Sequence, residues 1–349
     1  MDSNSLPLSN LSPAQRKAFN GHLNDLWDDY QDELADLIIE AKTMVPNSLY
    51  FGDDPTTEAR RQLEDYARKA NLIAQDYYRN VRGAWAEAAG ISMPDYKEAQ
   101  VSSDRAFWQI VGGYNNTMHV GAKFTDVING RSKAGLTMDH LWAINTRGYT
   151  EDDWARLAKD VINETARLTG RFTAQNDPTR PKYARVPQGK TCAFCAMLAS
   201  RGFVYASEDT AGKWHRYHHD CDCKIVPSWG ETKLDGYEPD KFKRMYKAAK
   251  SRAGTSETNA VMKAMNHMFP DEAHLWSVRI IGRMARRGHP ATGENMGSCL
   301  RQPRSRRDST RENSFSEGMG REENQVGRRR DRRGSRPRHT GWQGTSNPV

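Results

Sequence analysis

A mainly α-helical chain, carrying one small α+β unit rich in cysteine and histidine and ending in a basic tail, is the architecture the sequence predicts. Apolar residues recur at three- and four-residue steps from Phe19 to Leu168, the period of helices with one buried face. Four of the five cysteines fall into two short clusters between Thr191 and Lys224. After Gly288 the composition shifts abruptly to Arg, Gly, Ser, Asn and Gln with almost no aliphatic residue. These features divide the chain into a helical region at 1–176, a Cys/His unit at 177–232, further helices at 233–288 and a disordered Arg-rich tail at 289–349.

The first helix opens at Ser12, which can cap it, with Pro13 suited to the first turn and Gln15 completing a capping box. Phe19, Leu23, Trp27, Tyr30, Leu34 and Leu37 make its apolar stripe, and Pro46 is expected to stop it. A second helix follows the loop around Asp54 and Pro55. Leu63, Tyr66, Ala70, Tyr77, Val81 and Trp85 form its stripe, and Gly90 ends it. Aromatic residues at this spacing are core. Shorter helical pieces come next: one capped by Ser102 or Ser103 through Phe107 and Ile110, another opened by Thr150 and Asp153 and running to Gly170.

After Asn176, Asp177 and Pro178 the periodicity changes. Cys195 to Gly202 reads as two helical turns with a glycine exit. Phe203 to Ala206 and Cys221 to Val226 read as short strands, the second placing Cys221 and Cys223 on one face. Pro181 to Lys190 reads as a loop. Beyond Trp229 the chain becomes helical again at Pro239–Ala249, Glu257–Met268 and Asp271–Arg287, with their Lys and Arg residues on solvated faces.

The C-x2-C pair and the distant H-x2-C-x-C offer Cys192, Cys195, His218, Cys221 and Cys223, five ligands where a tetrahedral Zn2+ needs four. Which four bind is open at this point, but a filled coordination sphere means a structural rather than a catalytic ion. A thioredoxin-like pair at Cys192 and Cys195 needs a strand leading into the motif. Disulfides need an oxidising compartment, and the N-terminus, with neither a basic nor an apolar stretch, does not read as a secretory signal. No run approaches the roughly 18 apolar residues of a membrane span, so no membrane partner is expected. In a reducing cytoplasm closely spaced thiols favour metal, and the remaining Cys299 is harmless.

From Ala291 to Val349 there are 13 Arg, no Lys and 7 acidic residues, so 13 − 7 = +6 of the whole-chain +8 lies in the tail. Such an arm can bind nucleic acid weakly through its phosphates without reading sequence, or it can simply keep the chain soluble. Enzymatic alternatives lack their motifs. The H-x-E of zinc deaminases, the H-E-x-x-H of zincins and the G-x-S-x-G of serine hydrolases are absent. A treble-clef nuclease using His215, His218 or His219, and a capsid maturation protease, are the enzymes left in play; the expectation is no enzyme.

The order Val186-Pro-x-Gly189-x-x-Cys192-x-Phe194-Cys195-x-Met197-Leu-Ala-x-Arg201-Gly202-x-x-Tyr205, then His218-x-x-Cys221-x-Cys223 and Val226-Pro227, resembles the head-morphogenesis or minor capsid proteins of tailed bacteriophages related to the F protein of phage Mu. Gly236-Tyr-Glu-Pro-Asp240 is similar to the branch found in phages and prophages of actinobacteria. The resemblance covers about residues 185–245. It implies a minor head component at the portal vertex, active in procapsid assembly and in DNA packaging or delivery. The implied partners are the portal protein and the major capsid or scaffold protein, and the implied location is the virion.

Overall fold

The computed structural model describes residues 6, 8, 10–51, 54–111, 118–119, 122–189, 191–205, 221–230 and 232–274, all within the first of two compact units, Met1–Arg301. Three long helices, α1 (Pro13–Asn47), α2 (Pro55–Ala89) and α6 (Glu151–Asn176), pack pairwise against one another. The chain between them forms α3 (Ser103–Ile110), a two-residue ladder of β1 (Met118–His119) and β2 (Ala122–Lys123), α4 (Phe124–Ile128) and α5 (Met138–Thr146).

The starts of these helices are set locally. Ser12 and Gln15 exchange their hydrogen bonds at 3.2 and 2.9 Å, a complete capping box. The Asp54 carboxylate accepts from the N–H groups of Thr56 and Thr57, Ser102 from Arg105, and Thr150 pairs reciprocally with Asp153. Each such cap is worth about 1 kcal/mol. Gly90 closes α2 with φ 64°, a left-handed conformation that glycine adopts without strain. Pro46 is accommodated in the last turn of α1, one residue before its end.

Between α1 and α2 the aromatic stripes interdigitate: Tyr30 stacks on Tyr77 with centroids 4.3 Å apart, and Phe19 meets the edge of Trp85 at 5.0 Å. Trp27, Tyr30, Tyr77 and Trp85 are all buried. Each large side chain withdrawn from water in this way contributes about 1.5–3 kcal/mol. The extended stretch before α3 is strapped down by polar side chains. Asn71 takes the Val101 N–H at 3.0 Å and donates to its carbonyl at 2.8 Å, Gln75 donates to the Ala99 carbonyl, and Thr173 accepts the Ala99 N–H.

Helix α6 runs past the glycine expected to end it. Gly170 lies inside the helix, where a Cβ would stand 3.8 Å from Ile225 Cγ2; the bare backbone is where a strand packs against the helix. That strand, β5 (Lys224–Ser228), pairs antiparallel with β3 (Lys182–Val186), Arg185 opposite Ile225. The segment expected to be a loop is thus a strand, held by a partner some forty residues further on. Of the strand expected at Phe203–Ala206, Tyr205 forms a single bridge to Tyr183, and Ala206 lies outside the described residues.

β4 (Thr191–Cys192) leads into α7 (Ala193–Ala199), and α8 (Pro239–Ala253) and α9 (Thr258–Met268) pack on α7 through Ala193, Ala196, Met245, Ala249, Val261 and Met265. Instead of opening a helix at Asp271, the chain turns into β6 (Ala273–His274), parallel to β4. The rest of that expected helix, Cys299 and the tail at 289–349 lie outside the described residues. One core runs from Phe19 through Trp108 and Ile162 to Trp229 and Tyr237, crossing the boundaries drawn at 176 and 232. Asp177 shows how tightly the first of these is joined: its buried carboxylate accepts from Arg82 of α2 at 2.7 Å and from the Tyr78 hydroxyl at 3.0 Å.

Candidate metal centre

Cys192, Cys195, Cys221 and Cys223 form one buried cluster, with the partly buried Phe194 packed against it. Local folding explains the first pair. Cys192 is the N-cap of α7, and its sulfur accepts the Cys195 N–H at 3.2 Å, so the C-x2-C spacing turns both thiols toward the same point. Cys221 and Cys223 come from the segment that enters β5. The strand begins at Lys224, one residue after Cys223, so neither cysteine stands on it as the alternation had suggested. They are nevertheless delivered together: Cys221 Sγ is 3.2 Å from Cys223 Sγ and 3.5 Å from Cys195 Sγ. His218, the fifth candidate, lies outside the described residues, as do His215 and His219.

The surroundings are charged and dry. Arg185, projecting from β3 and only 2% exposed, places Nη2 at 3.1 Å from Cys223 Sγ, 3.7 Å from Cys195 Sγ and 3.9 Å from Cys221 Sγ. On α6, Arg167 donates to the Cys221 carbonyl and, at 2.6 Å, to Glu164. Lys224 donates to Asn163, and burial pulls its ammonium down to about 8. Glu164 is pushed up to about 7 by burial, against the pull of Arg167. Hydrogen bonds with Cys192 and Cys221 hold the Cys195 thiol well above its ordinary range, and burial raises Cys223. Metal binding would have to displace the protons of these two raised thiols.

The donor set fits a metal. Cys195, Cys221 and Cys223 have sulfurs within 4.8 Å of one another, and Cys192, whose sulfur accepts the Cys195 N–H, lies in the same buried cluster but outside that group of three. A tetrahedral ion with metal–sulfur bonds of about 2.3 Å holds its sulfurs roughly 3.8 Å apart, a small outward movement from the observed spacing. All four cysteines are free thiols, with sulfurs well beyond the ~2.05 Å of a disulfide. A strand does lead toward the C-x2-C motif, contrary to the loop expected there. Its partner β5 is antiparallel, however, and Cys195 meets Cys221 and Cys223 rather than standing as an isolated redox pair with Cys192. Sequence reasoning missed Arg185, Arg167, Glu164 and Lys224. The one signal that could have found Arg185 is its place between Ala184 and Val186, in a run whose aromatic and β-branched residues suit a strand.

A mainly helical body with two-stranded ladders and one buried thiol cluster able to hold a metal defines the class of protein. The model of the VG15 protein family matches residues 54–249, from the N-cap of α2 into the last turns of α8. That is 249 − 54 + 1 = 196 of 349 residues, and the chain belongs to this viral gene family. No characterised protein and no solved structure shows detectable similarity to the chain. Among the described residues no helix is long and apolar enough to cross a membrane.

Proposed function

We propose that this chain is a minor capsid, or head-morphogenesis, protein of a tailed bacteriophage or prophage, acting by contact at the portal vertex during head assembly and DNA packaging or delivery. The observation that carries the reading is the VG15 family match, which supports a phage-encoded protein and spans the whole thiol cluster. The resemblance of residues 185–245 to Mu F-like proteins supports the finer assignment. The chain is not an enzyme in this reading, because a fourth thiol, Cys192, stands in the same buried cluster as Cys195, Cys221 and Cys223 and can fill the coordination sphere. Zn2+ is the metal we assign to the centre, in a structural role: it joins α7 to the segment entering β5.

The partners are the portal protein and the major capsid or scaffold protein, and the location is the virion after assembly in the host cytoplasm. Residues 291–349, with their +6 charge, bind DNA weakly and without sequence preference. Mass spectrometry of particles purified from the encoding phage tests the assignment. The chain should be present at a few copies per portal, and particles made without it should fail in assembly or DNA content. Purified virions that lack the chain, with heads that fill normally after its deletion, refute it. Metal-dependent DNA cleavage lost in His219→Ala with metal content unchanged would establish the nuclease instead.

A further inference from the structure

We propose that the centre is a four-thiolate site formed by Cys192, Cys195, Cys221 and Cys223, and that Arg185 is its positioning residue, donating N–H to the ligand sulfurs and balancing their charge. The inference rests on the metal-binding part of the proposed function and names four of the five candidates as the ligands. A guanidinium is always protonated and carries several N–H donors in a rigid fork. Here it is almost fully buried, with one nitrogen facing three sulfurs at 3.1–3.9 Å.

Burying such a cation is costly unless an anion lies beside it. Four thiolates around a divalent ion carry 4 × (−1) + 2 = −2, whereas three thiolates and a neutral imidazole carry −1. Arg167 is already paired with Glu164, so the cation at the sulfurs is Arg185, and it favours the more anionic set. Cys192 lies in the same buried cluster and its sulfur is tied to Cys195 by the N-cap contact, so it offers the fourth thiolate to the group of Cys195, Cys221 and Cys223. N–H···S bonds to metal thiolates also fix their direction, as outer partners do for ligands in general.

The test uses the full-length chain loaded with Co2+, whose thiolate charge-transfer absorption counts the sulfurs bound. Wild type and His218→Ala should both show four thiolates, and Cys192→Ser three. Arg185→Gln should bind metal about 10–100-fold more weakly in competition with a chelator, the range for losing an outer-shell partner, and release it faster. Its charge-transfer band should move to lower energy, a signature that a purely structural role would not produce. Arg185→Lys keeps the charge but not the fork and should fall between the two; if the Gln variant does not fold, the Lys variant must still release faster than wild type. Loss of one ligand in His218→Ala overturns the ligand set. Unchanged release and an unchanged band in the Arg185 variants overturn the role of the arginine. A wild-type chain that takes up no divalent metal sinks the metal reading beneath both and leaves the virion assignment to its own test.

Discussion

Replacing Asp177 with alanine removes the acceptor on which the joint between the helical region and the strand pair depends. Its carboxylate is wholly buried and takes hydrogen bonds from Arg82 Nε at 2.7 Å, the Tyr78 hydroxyl at 3.0 Å, and the Thr179 N–H and hydroxyl at 2.9 and 2.6 Å. Thr179 in turn accepts from Trp229 Nε1 at 2.7 Å, so the loss propagates to the indole. Breaking a buried ion pair by deleting one partner costs about 3–5 kcal/mol. Arg82 keeps its bond to the Pro94 carbonyl and its place over the Tyr96 ring, which puts the pair at the low end of that range. With about 1 kcal/mol for the stranded Tyr78 hydroxyl, the expected loss is about 3–4 kcal/mol. Denaturant unfolding followed by tryptophan fluorescence reads it as a lower midpoint at unchanged slope. Asp177→Asn, which retains one acceptor oxygen, should lose less than the alanine variant. An Asp177→Ala loss below about 1 kcal/mol at unchanged slope would refute the claim that this carboxylate joins the two regions.

Acid should expose the same carboxylate: burial opposes its charge, but the bonds from Arg82, Thr179 and Tyr78 outweigh burial and hold it below the usual carboxylate range. A depressed folded pKa means its stabilisation is complete above the unfolded value, about 4, and disappears as pH falls through the lower folded value. Wild-type stability should therefore fall more steeply than that of Asp177→Asn below about pH 4, and parallel curves would contradict this. Gly230→Ala should cost about 1–3 kcal/mol by overpacking, because the new methyl would stand 2.7 Å from Cη2 of the buried Trp85; a variant melting within a degree of wild type refutes the clash. Chelation should raise amide exchange in α7, β5 and α8 while α1 and α2 stay protected, whereas uniform deprotection would mean that the centre supports the whole unit.

What could be read from the sequence is what short-range chemistry decides. The caps at Ser12, Asp54, Ser102 and Thr150 act on N–H groups two or three residues away, and the helices at Ser12, Ser102 and Thr150 start where those residues predicted, whereas Asp54 read only as part of the loop before Pro55. The four cysteines were legible for the same reason, since their spacing fixes which thiols a turn can bring together. Long-range pairing was not legible. Pro181 and Pro187 disguise β3 as a loop, and only β5 makes a strand of the residues between them. Gly170 reads as a helix end until Ile225 is seen packed against it. Asp177, in a local pattern that signals a break, is a buried tie because Arg82 and Tyr78 reach it from about a hundred residues away. Arg185 escaped notice because a charged residue in an apparent loop carries no sign that three sulfurs will gather around it.

The pairing of β6 with β4 has a mechanical consequence. Thr191 and Cys192 are registered against Ala273 and His274, and the Thr191 N–H donates to the Glu272 carbonyl at 3.3 Å. Tension applied to the chain at His274 is therefore borne by a two-residue ladder, with far fewer bonds to break than β3 and β5 share. Because Cys192 is one of the rungs, the same pull loads a thiol of the cluster before it reaches the long helices. The ladder is thus a fuse: it yields at low force, and its failure is felt at the sulfurs rather than in the aromatic core.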